Sequence, residues 1–271
     1  HLNFTANMYV NTPRNKVGVL VGDQLRQVIT DYYGEGSPAY NLLGTANTNW
    51  QDEILRTSVS SDYNLSVGGT YKIMPYRVAV SYTNQNGILK TSAMDRVTAS
   101  ITLNPKFFDN TLSVTANVKG FYMHNRYADE GAIGGAVSFD PSQSVRVDNL
   151  PIGNGYFTWL KPGTDEFIGI APVNPVSLID ERSMKADVYR SVGNLQLDYV
   201  MPFLPALHAN LNLGYDVSHS IQHNLMTPDS PLTYKENKKT GLGQDERLRQ
   251  LKRNLLLDFY LNYKQDFESI H

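Results

Sequence analysis

Two histidines, His219 and His223, have the spacing closest to that of a metal site. Side chains four residues apart share a face on a helix, but the alternation of apolar and polar residues before them indicates a strand. At ~3.3 Å per residue along a strand they would lie about 13 Å apart, too far to share an ion. His208 is expected to face a polar interior or a turn. The sequence therefore predicts structural histidines and no metal site.

The sequence also carries no recognisable enzyme motif. It has no G-x-S-x-G turn, no phosphate-binding glycine loop and no cysteine. Its net charge of −2 gives no electrostatic reason to bind nucleic acid. No run approaches 18 apolar residues, which excludes a transmembrane helix. We therefore predict a protein without catalytic residues or cofactors.

Binding chemistry is concentrated in one long segment, residues 124–182, expected to be a loop. Its candidate ligand- or partner-facing residues are Tyr156, Phe157, Trp159, Arg126 and Asn149. Aromatic faces stack on sugar rings while amides and charges bind hydroxyl groups, so a glycan site is one interpretation. The other is an interface, because exposed apolar clusters usually mark one. Packing on a partner is the preferred interpretation for the three aromatic residues.

Regular alternation of apolar and polar residues predicts the elements that carry this loop. In the first segment Leu2, Phe4 and Ala6 fall on one face, and Asn3 and Thr5 on the other, as in a strand. The eight segments with this pattern are 2–11, 62–67, 76–83, 97–104, 112–122, 194–199, 207–218 and 255–264. We therefore predict an all-β fold.

The predicted connections differ in length between the two ends of the strands. Those at 69–75, 104–110 and 202–206 are short, whereas 12–53, 124–182 and about 223–248 are long. Tyrosines also tend to close the apolar faces: Tyr63, Tyr76, Tyr82, Tyr122, Tyr199, Tyr215 and Tyr263. Both features favour a membrane β-barrel with aromatic girdles, and the alternative is a soluble sandwich or propeller with an apolar core.

Two segments depart from the strand pattern. Residues 19–33 have apolar residues at helical spacing, with Asp23 as a candidate N-cap and Gly34 just beyond the end. The basic stretch before residue 255 also fits an amphipathic helix with Leu248, Leu251 and Leu255 on one face. Because its second half continues into a strand, the strand interpretation is preferred there.

Six stretches, in order along the chain, resemble the SusC/RagA-type TonB-linked outer-membrane proteins. They are TPRNKVGVLVGDQLRQVI (12–29), NTNWQDEILRTSVSSDYNLSVGG (47–69), the hairpin region 80–120, AIGGAVSFDPSQSV (132–145), NPVSLID (174–180) and VGNLQLDYVMPFLPALHANLNLGYD (192–216). Each is weakly specific alone, and the specificity comes from finding all six in the family's order.

The resemblance implies about eight strands of a 22-stranded antiparallel transmembrane barrel, with short periplasmic turns and long extracellular loops. The plug domain and the remaining strands would lie outside residues 1–271, which we expect to be part of a longer chain. It implies a Gram-negative outer-membrane location and, as partners, a SusD-like surface lipoprotein, the TonB complex and outer-membrane lipid. A dimer of transporter–lipoprotein pairs is compatible with it.

In such a barrel the polar strand faces line a wet lumen. The lumen-facing candidates are Asp62, Asn64, Arg77, Asn117, Lys119 and Asp216. Their mixed charges and amides suit hydroxyl-rich or peptidic cargo, but the preferred interpretation is that they solvate the wall and contact the plug. The function expected from the resemblance is TonB-dependent import of a nutrient, oligosaccharide rather than peptide. The alternatives are a passive porin and a soluble or surface carbohydrate-binding β-sandwich.

Overall fold

The computed structural model describes residues 1–148, 150, 152–233 and 243–265. Its strands are β1 (Leu2–Asn11), β2 (Ser58–Tyr71), β3 (Met74–Asn86), β4 (Ala93–Leu103), β5 (Lys106–Phe107), β6 (Leu112–Tyr127), β7 (Arg182–Val200), β8 (Leu207–Met226) and β9 (Gln244–Tyr263). Its helices are α1 (Gly22–Tyr33), α2 (Trp50–Ile54), α3 (Gly131–Ser138) and α4 (Pro175–Asp180), with a 3₁₀ turn at Tyr40–Leu42. Among the described residues, no helix has both the length and the apolar character needed to cross a membrane.

The strands form one open antiparallel sheet. Its order is β1-β2-β3-β4-β6-β7-β8-β9, and the short β5 pairs with β6. Each long strand is thus hydrogen-bonded to the next long strand in sequence. The long loops all leave from one end of the sheet and the short turns from the other. The all-β fold of sequential antiparallel strands is confirmed.

The register gives the sheet one apolar face and one polar face. Leu65 pairs with Val80, which pairs with Ala99, so these residues share the apolar face. Leu65 and Val80 remain 46% and 47% exposed, although both lie in the interior of the sheet. A sandwich would bury such residues against a second sheet. The uncovered apolar face is what a lipid-facing wall requires, and the sandwich interpretation is wrong.

A row of tyrosines crosses the apolar face near the long loops. Tyr63 pairs with Tyr82, and Tyr122 pairs with Tyr189, with Val97 between the two pairs. We call Tyr63, Tyr82, Tyr122 and Tyr189 the tyrosine row. Tyr rings with polar tips suit the boundary between lipid and water, so the row has the composition of an aromatic girdle.

Several strands extend further than the sequence patterns predict. β7, β8 and β9 contain 19, 20 and 20 residues, and most of the added length lies toward the long loops. The strand interpretation of the basic region before residue 255 is confirmed, because this region is part of β9, which pairs with β8 along its whole length. Tyr215 is consequently a mid-strand residue. β5 lies within the expected turn 104–110.

Helix α1 confirms the expected helix but corrects its cap. Asp23 lies within the first turn, and the capping residue is Val21, whose backbone N–H donates to Gln24 Oε1 at 3.1 Å. At the other end Gly34 has a φ of 79° and donates its N–H to the carbonyl of Thr30. Only glycine adopts that conformation without strain, so the predicted stop at Gly34 is confirmed.

At Gly193 the ring of the neighbouring Tyr215 fills the space that a side chain at this position would need. A Cβ at Gly193 would lie 2.4 Å from Tyr215 Cε1, and Tyr215 Oη lies 2.9 Å from Ser191 Oγ. Gly193→Ala should displace the ring and cost about 1–3 kcal/mol. The measurement is the temperature at which the complete protein, purified in detergent, loses its compact SDS-gel mobility. Gly120→Ala is the matched control, since its Cβ would meet nothing closer than 3.8 Å. Equal losses in both variants would contradict the prediction.

Candidate functional site

The long loops pack against one another and form the hydrophobic core of the described chain. Trp50 and Ile54 from the first loop meet Phe139, Leu178 and Ile179 from the loop between β6 and β7. Each of these five is less than 10% exposed. The strands below contribute almost nothing to this core, so the loops form a structured layer of their own. This layer, residues 12–57, 87–92 and the described part of 128–181, is called the loop cluster.

Aromatic rings connect the interior of the loop cluster to its surface. Trp50 meets Phe139 edge-on at 4.6 Å, Phe139 meets Phe157 at 6.1 Å, and Phe157 meets Trp159 at 5.0 Å. Trp50 also donates its Nε1–H to the carbonyl of Asp140 at 2.9 Å. Edge-on aromatic pairs stabilise beyond simple burial. The four rings therefore fix the position of Trp159, which is only half-buried.

Backbone hydrogen bonds join the two loops next to this aromatic chain. Ala46 N–H donates to Ser142 O at 2.9 Å, and Thr48 N–H donates to Pro141 O at 2.8 Å. At Gly44 the two loops are so close that a Cβ would lie 2.2 Å from Ser142 O. Glycine is therefore required at this crossing. The first loop is held by backbone pairing as well as by apolar contact.

Tyr156 has a structural environment in this layer. It is 2% exposed, its hydroxyl donates to Asp180 Oδ2 at 2.7 Å, and the Arg146 guanidinium lies 4.0 Å from its ring centre. Burial and the Asp180 carboxylate raise the pKa of the Tyr156 hydroxyl. The ring thus contacts its own loop and not solvent, which differs from the expected exposed cluster.

Beside Tyr156, the carboxyl group of Glu181 is also buried. Burial raises its pKa, while the hydrogen bond from Ser177 Oγ to Oε2 opposes that shift. The other oxygen, Oε1, has no hydrogen-bond partner among the described residues. Burial and hydrogen bonding therefore act in opposite directions on the pKa of the Glu181 carboxyl in the interior of the loop cluster.

A cavity of about 720 Å³ opens between the first loop, α1 and α3. Its wall includes Leu25, Ile29, Phe139 and Trp159 together with the segment 16–21. The wall is mainly apolar, with backbone and amide groups at Asn49 and Gln51. Segment 16–21 and α1 were not predicted from the sequence to belong to a site, although the apolar residues around Gly18 could have indicated one.

The other loop candidates do not gather at this cavity. Phe157 is half-buried and packs on the loop core. Arg126 is not in the loop, because β6 continues to Tyr127 and places it on the apolar face of the sheet. Asn149 lies outside the described residues. Of the four candidates that the structure describes, only Trp159 lines the cavity.

All six lumen candidates lie on the polar face of the sheet. Asn117 faces Asn194 across β6 and β7, and their amides are hydrogen-bonded at 3.0 Å. Asp216 accepts two hydrogen bonds from the Arg190 guanidinium, at 2.8 and 2.6 Å. The remaining candidates on this face are Asp62, Asn64, Arg77 and Lys119. Asn117 and Asp216 are thus paired within the wall, while Arg77 and Lys119 are exposed.

Two of the three candidate histidines, His208 and His223, contact carboxylates on neighbouring strands. His208 Nδ1 lies 2.9 Å from Asp198 Oδ1, and His223 Nε2 lies 2.6 Å from Asp245 Oδ1. In the described part of the chain, no three His, Asp or Glu side chains are grouped closely enough to hold a metal ion.

The chain is similar to SusC of Bacteroides thetaiotaomicron, a TonB-dependent receptor, with 34% identity over 273 residues. This similarity covers 97% of the chain and 26% of SusC, so the chain spans about a quarter of that relative. Two structures of the RagAB peptide importer, in closed-closed and open-open states, each match with a TM-score of 0.74 at 14% identity. They cover 98% and 99% of this chain, and 33% and 32% of the RagAB chains. No family model matches.

The open antiparallel sheet, its uncovered apolar face and its long loops at one end define part of a TonB-dependent outer-membrane barrel. The chain belongs to the SusC/RagA family of these receptors, and its strands lie in the Gram-negative outer membrane.

Proposed function

We propose that the protein containing this chain imports a nutrient across the outer membrane, driven by TonB, with oligosaccharide favoured over peptide. The observation that carries the proposal is the 34% identity to a TonB-dependent receptor along 97% of the chain. The peptide alternative is supported by the RagAB fold, at 14% identity. Oligosaccharide is favoured because Trp159 lines the cavity, and aromatic faces stack on sugar rings.

A SusD-like surface lipoprotein is the proposed partner, seated on the loop cluster. Its docking surface would be an exposed apolar patch of the first loop and α1. In this patch Leu20 is 47% exposed, Val28 40% and Tyr32 84%. Apolar side chains grouped at a surface usually mark a contact with another protein. Cargo bound beneath the partner would then pass through the polar lumen.

Uptake by whole cells tests the proposed transport. Cells lacking the complete protein, and cells in which it is restored, are supplied with labelled oligosaccharides or labelled peptides, with and without functional TonB. We expect oligosaccharide uptake to require both the protein and TonB. Uptake that persists without TonB would favour the passive porin. Uptake of peptides alone would show that the cargo is peptide and not oligosaccharide.

Co-purification tests the proposed partner independently of cargo. The pair Val28→Asp and Tyr32→Asp places charges on one side of α1, and should release the lipoprotein encoded with the transporter. Thr164→Asp, at an exposed loop position outside the patch, is the control and should retain it. Equal retention by both proteins would reject this docking surface.

A further inference from the structure

Four basic side chains lie side by side on the apolar face of the sheet, beyond the tyrosine row. Arg126 of β6 pairs with Lys185 of β7, Lys185 pairs with His223 of β8, and His223 pairs with Arg247 of β9. These four residues are called the basic row. Arg249 and Arg253 follow on the same face of β9. Because paired residues in adjacent strands have Cβ atoms about 5 Å apart, the row is a concentrated band of positive charge.

Among the described residues, carboxylates pair with only one member of this band, His223. Asp187 of β7 lies beside the row, but its Oδ1 already accepts a hydrogen bond from Tyr122 Oη at 2.7 Å and contacts His124 Nδ1 at 2.8 Å. Asp245 is held by His223. Arg126, Lys185 and Arg247 form no ion pair with any residue that the structure describes. Since like charges directly opposite each other destabilise a sheet, the row requires an anion from outside the described chain.

The position of the row indicates where that anion comes from. Arg126 and Lys185 lie four residues beyond Tyr122 and Tyr189 of the tyrosine row. That is roughly 13 Å along the strand, or about 10 Å along the membrane normal at a typical tilt. The basic row shares its face with the lipid-facing residues and lies just above the boundary of the hydrocarbon layer. This is the depth of lipid head groups and not of dissolved cargo.

We propose that the basic row binds the phosphate groups of outer-leaflet lipids, in particular phosphorylated saccharide head groups. Guanidinium groups bind phosphate oxygens in pairs. Arg126 and Lys185 on adjacent strands, with Arg247 one strand beyond His223, fit a head group with more than one phosphate. The lipid chains would then lie along the apolar face below the tyrosine row. The proposal concerns the outer wall of the barrel and does not depend on the cargo or on the lipoprotein partner.

Lipid binding to the complete protein tests the proposal. The protein is freed of lipid in detergent, mixed with purified lipopolysaccharide, and the bound fraction is measured by native mass spectrometry. The combined variant Arg126→Gln, Lys185→Gln and Arg247→Gln should bind on the order of tenfold more weakly or worse. The matched control, Lys72→Gln, Lys106→Gln and Lys264→Gln, removes the same charge at the short-turn end and should bind as the unchanged protein does.

Two further measurements keep the proposal falsifiable. The charge-preserving variant Arg126→Lys and Arg247→Lys should fold and bind more tightly than the glutamine variant but less tightly than the unchanged protein, which separates loss of charge from loss of structure. Dephosphorylated lipopolysaccharide should bind weakly, and free inorganic phosphate should not displace the intact lipid at equal concentration. Undiminished binding by the glutamine variant or to the dephosphorylated lipid would overturn the proposal. Displacement by free phosphate would show that the basic row binds a soluble anion and not a lipid head group.

Discussion

Replacing Trp50 with alanine is expected to release the first loop from the rest of the loop cluster. The side chain is 2% exposed, packs edge-on against Phe139 and donates a hydrogen bond to Asp140. Truncating a buried Trp usually costs about 3–5 kcal/mol through lost contacts and the cavity left behind. The loop should then open roughly 100-fold more often, since 1.4 kcal/mol corresponds to a factor of 10. Hydrogen exchange at the amides of Ala46 and Thr48, whose partners lie in the facing loop, reports this opening.

Trp50→Phe separates the ring contact from the hydrogen bond. It keeps an aromatic ring beside Phe139 but removes the shorter of the two hydrogen bonds to the carbonyl of Asp140, which retains the N–H of Gln143 at 3.3 Å. We expect an intermediate loss of protection, about 1–2 kcal/mol. Exchange in Trp50→Ala that equals the exchange of the unchanged protein would show that the loops are held by backbone pairing alone.

Replacing Asn174 with alanine is expected to open the other end of the loop cluster. Asn174 is 1% exposed, and its Oδ1 caps α4 by accepting from Val176 N–H at 3.0 Å. Its Nδ2 donates to the carbonyls of Val145 and Phe157, at 3.0 and 3.3 Å. Losing the cap costs about 1 kcal/mol, and leaving the Phe157 carbonyl without this donor costs about 1–3 kcal/mol. The Val145 carbonyl keeps the N–H of Phe157 at 3.1 Å, so the sum is about 2–4 kcal/mol.

Chymotrypsin cleavage after Tyr156 measures this second opening. Because Tyr156 is buried, the protease reaches it only when the loop unfolds locally. Cleavage of Asn174→Ala should be on the order of 100-fold faster. Asn174→Ser, which retains a capping oxygen but has no amide donor, should fall between. If the serine and alanine variants were cleaved equally fast, the cap would contribute nothing and the two donated bonds would carry the effect.

Much of the sheet was predictable because a lipid-facing strand has a strict two-residue period. β1 was predicted as residues 2–11 and has those bounds, since one of its faces is apolar throughout. β7 was predicted only from residue 194 but begins at Arg182. Above the tyrosine row both faces of a strand meet water or other polar groups. Alternation is therefore no longer required, and the period disappears from the sequence.

The candidate site was less predictable because no period relates a loop residue to a face. Tyr156 and Trp159 are both aromatic and three residues apart, yet one is buried beside Asp180 and the other lines the cavity. Their difference arises from tertiary contacts: Tyr156 bonds to Arg146 and Asp180 of its own loop, whereas the cavity beside Trp159 is closed by the first loop. Arg126 was predicted to lie in a loop because the alternating pattern ends before β6 does, just as it begins only after β7 has started. Its strand continues beyond the apolar band, where sequence alternation carries no information.

The excess length of β8 also determines where recognition takes place. Twenty residues at ~3.3 Å, tilted by about 40°, rise to roughly 50 Å, whereas the apolar band of such barrels is about 25 Å tall. About half of the wall therefore stands outside the bilayer as a rigid collar, and the loop cluster lies at its rim. A polymer attached to the cell surface or released nearby would meet the rim before it met lipid. Under the proposed import, cargo would therefore meet the collar and its loops before it reached the part of the wall that crosses the bilayer.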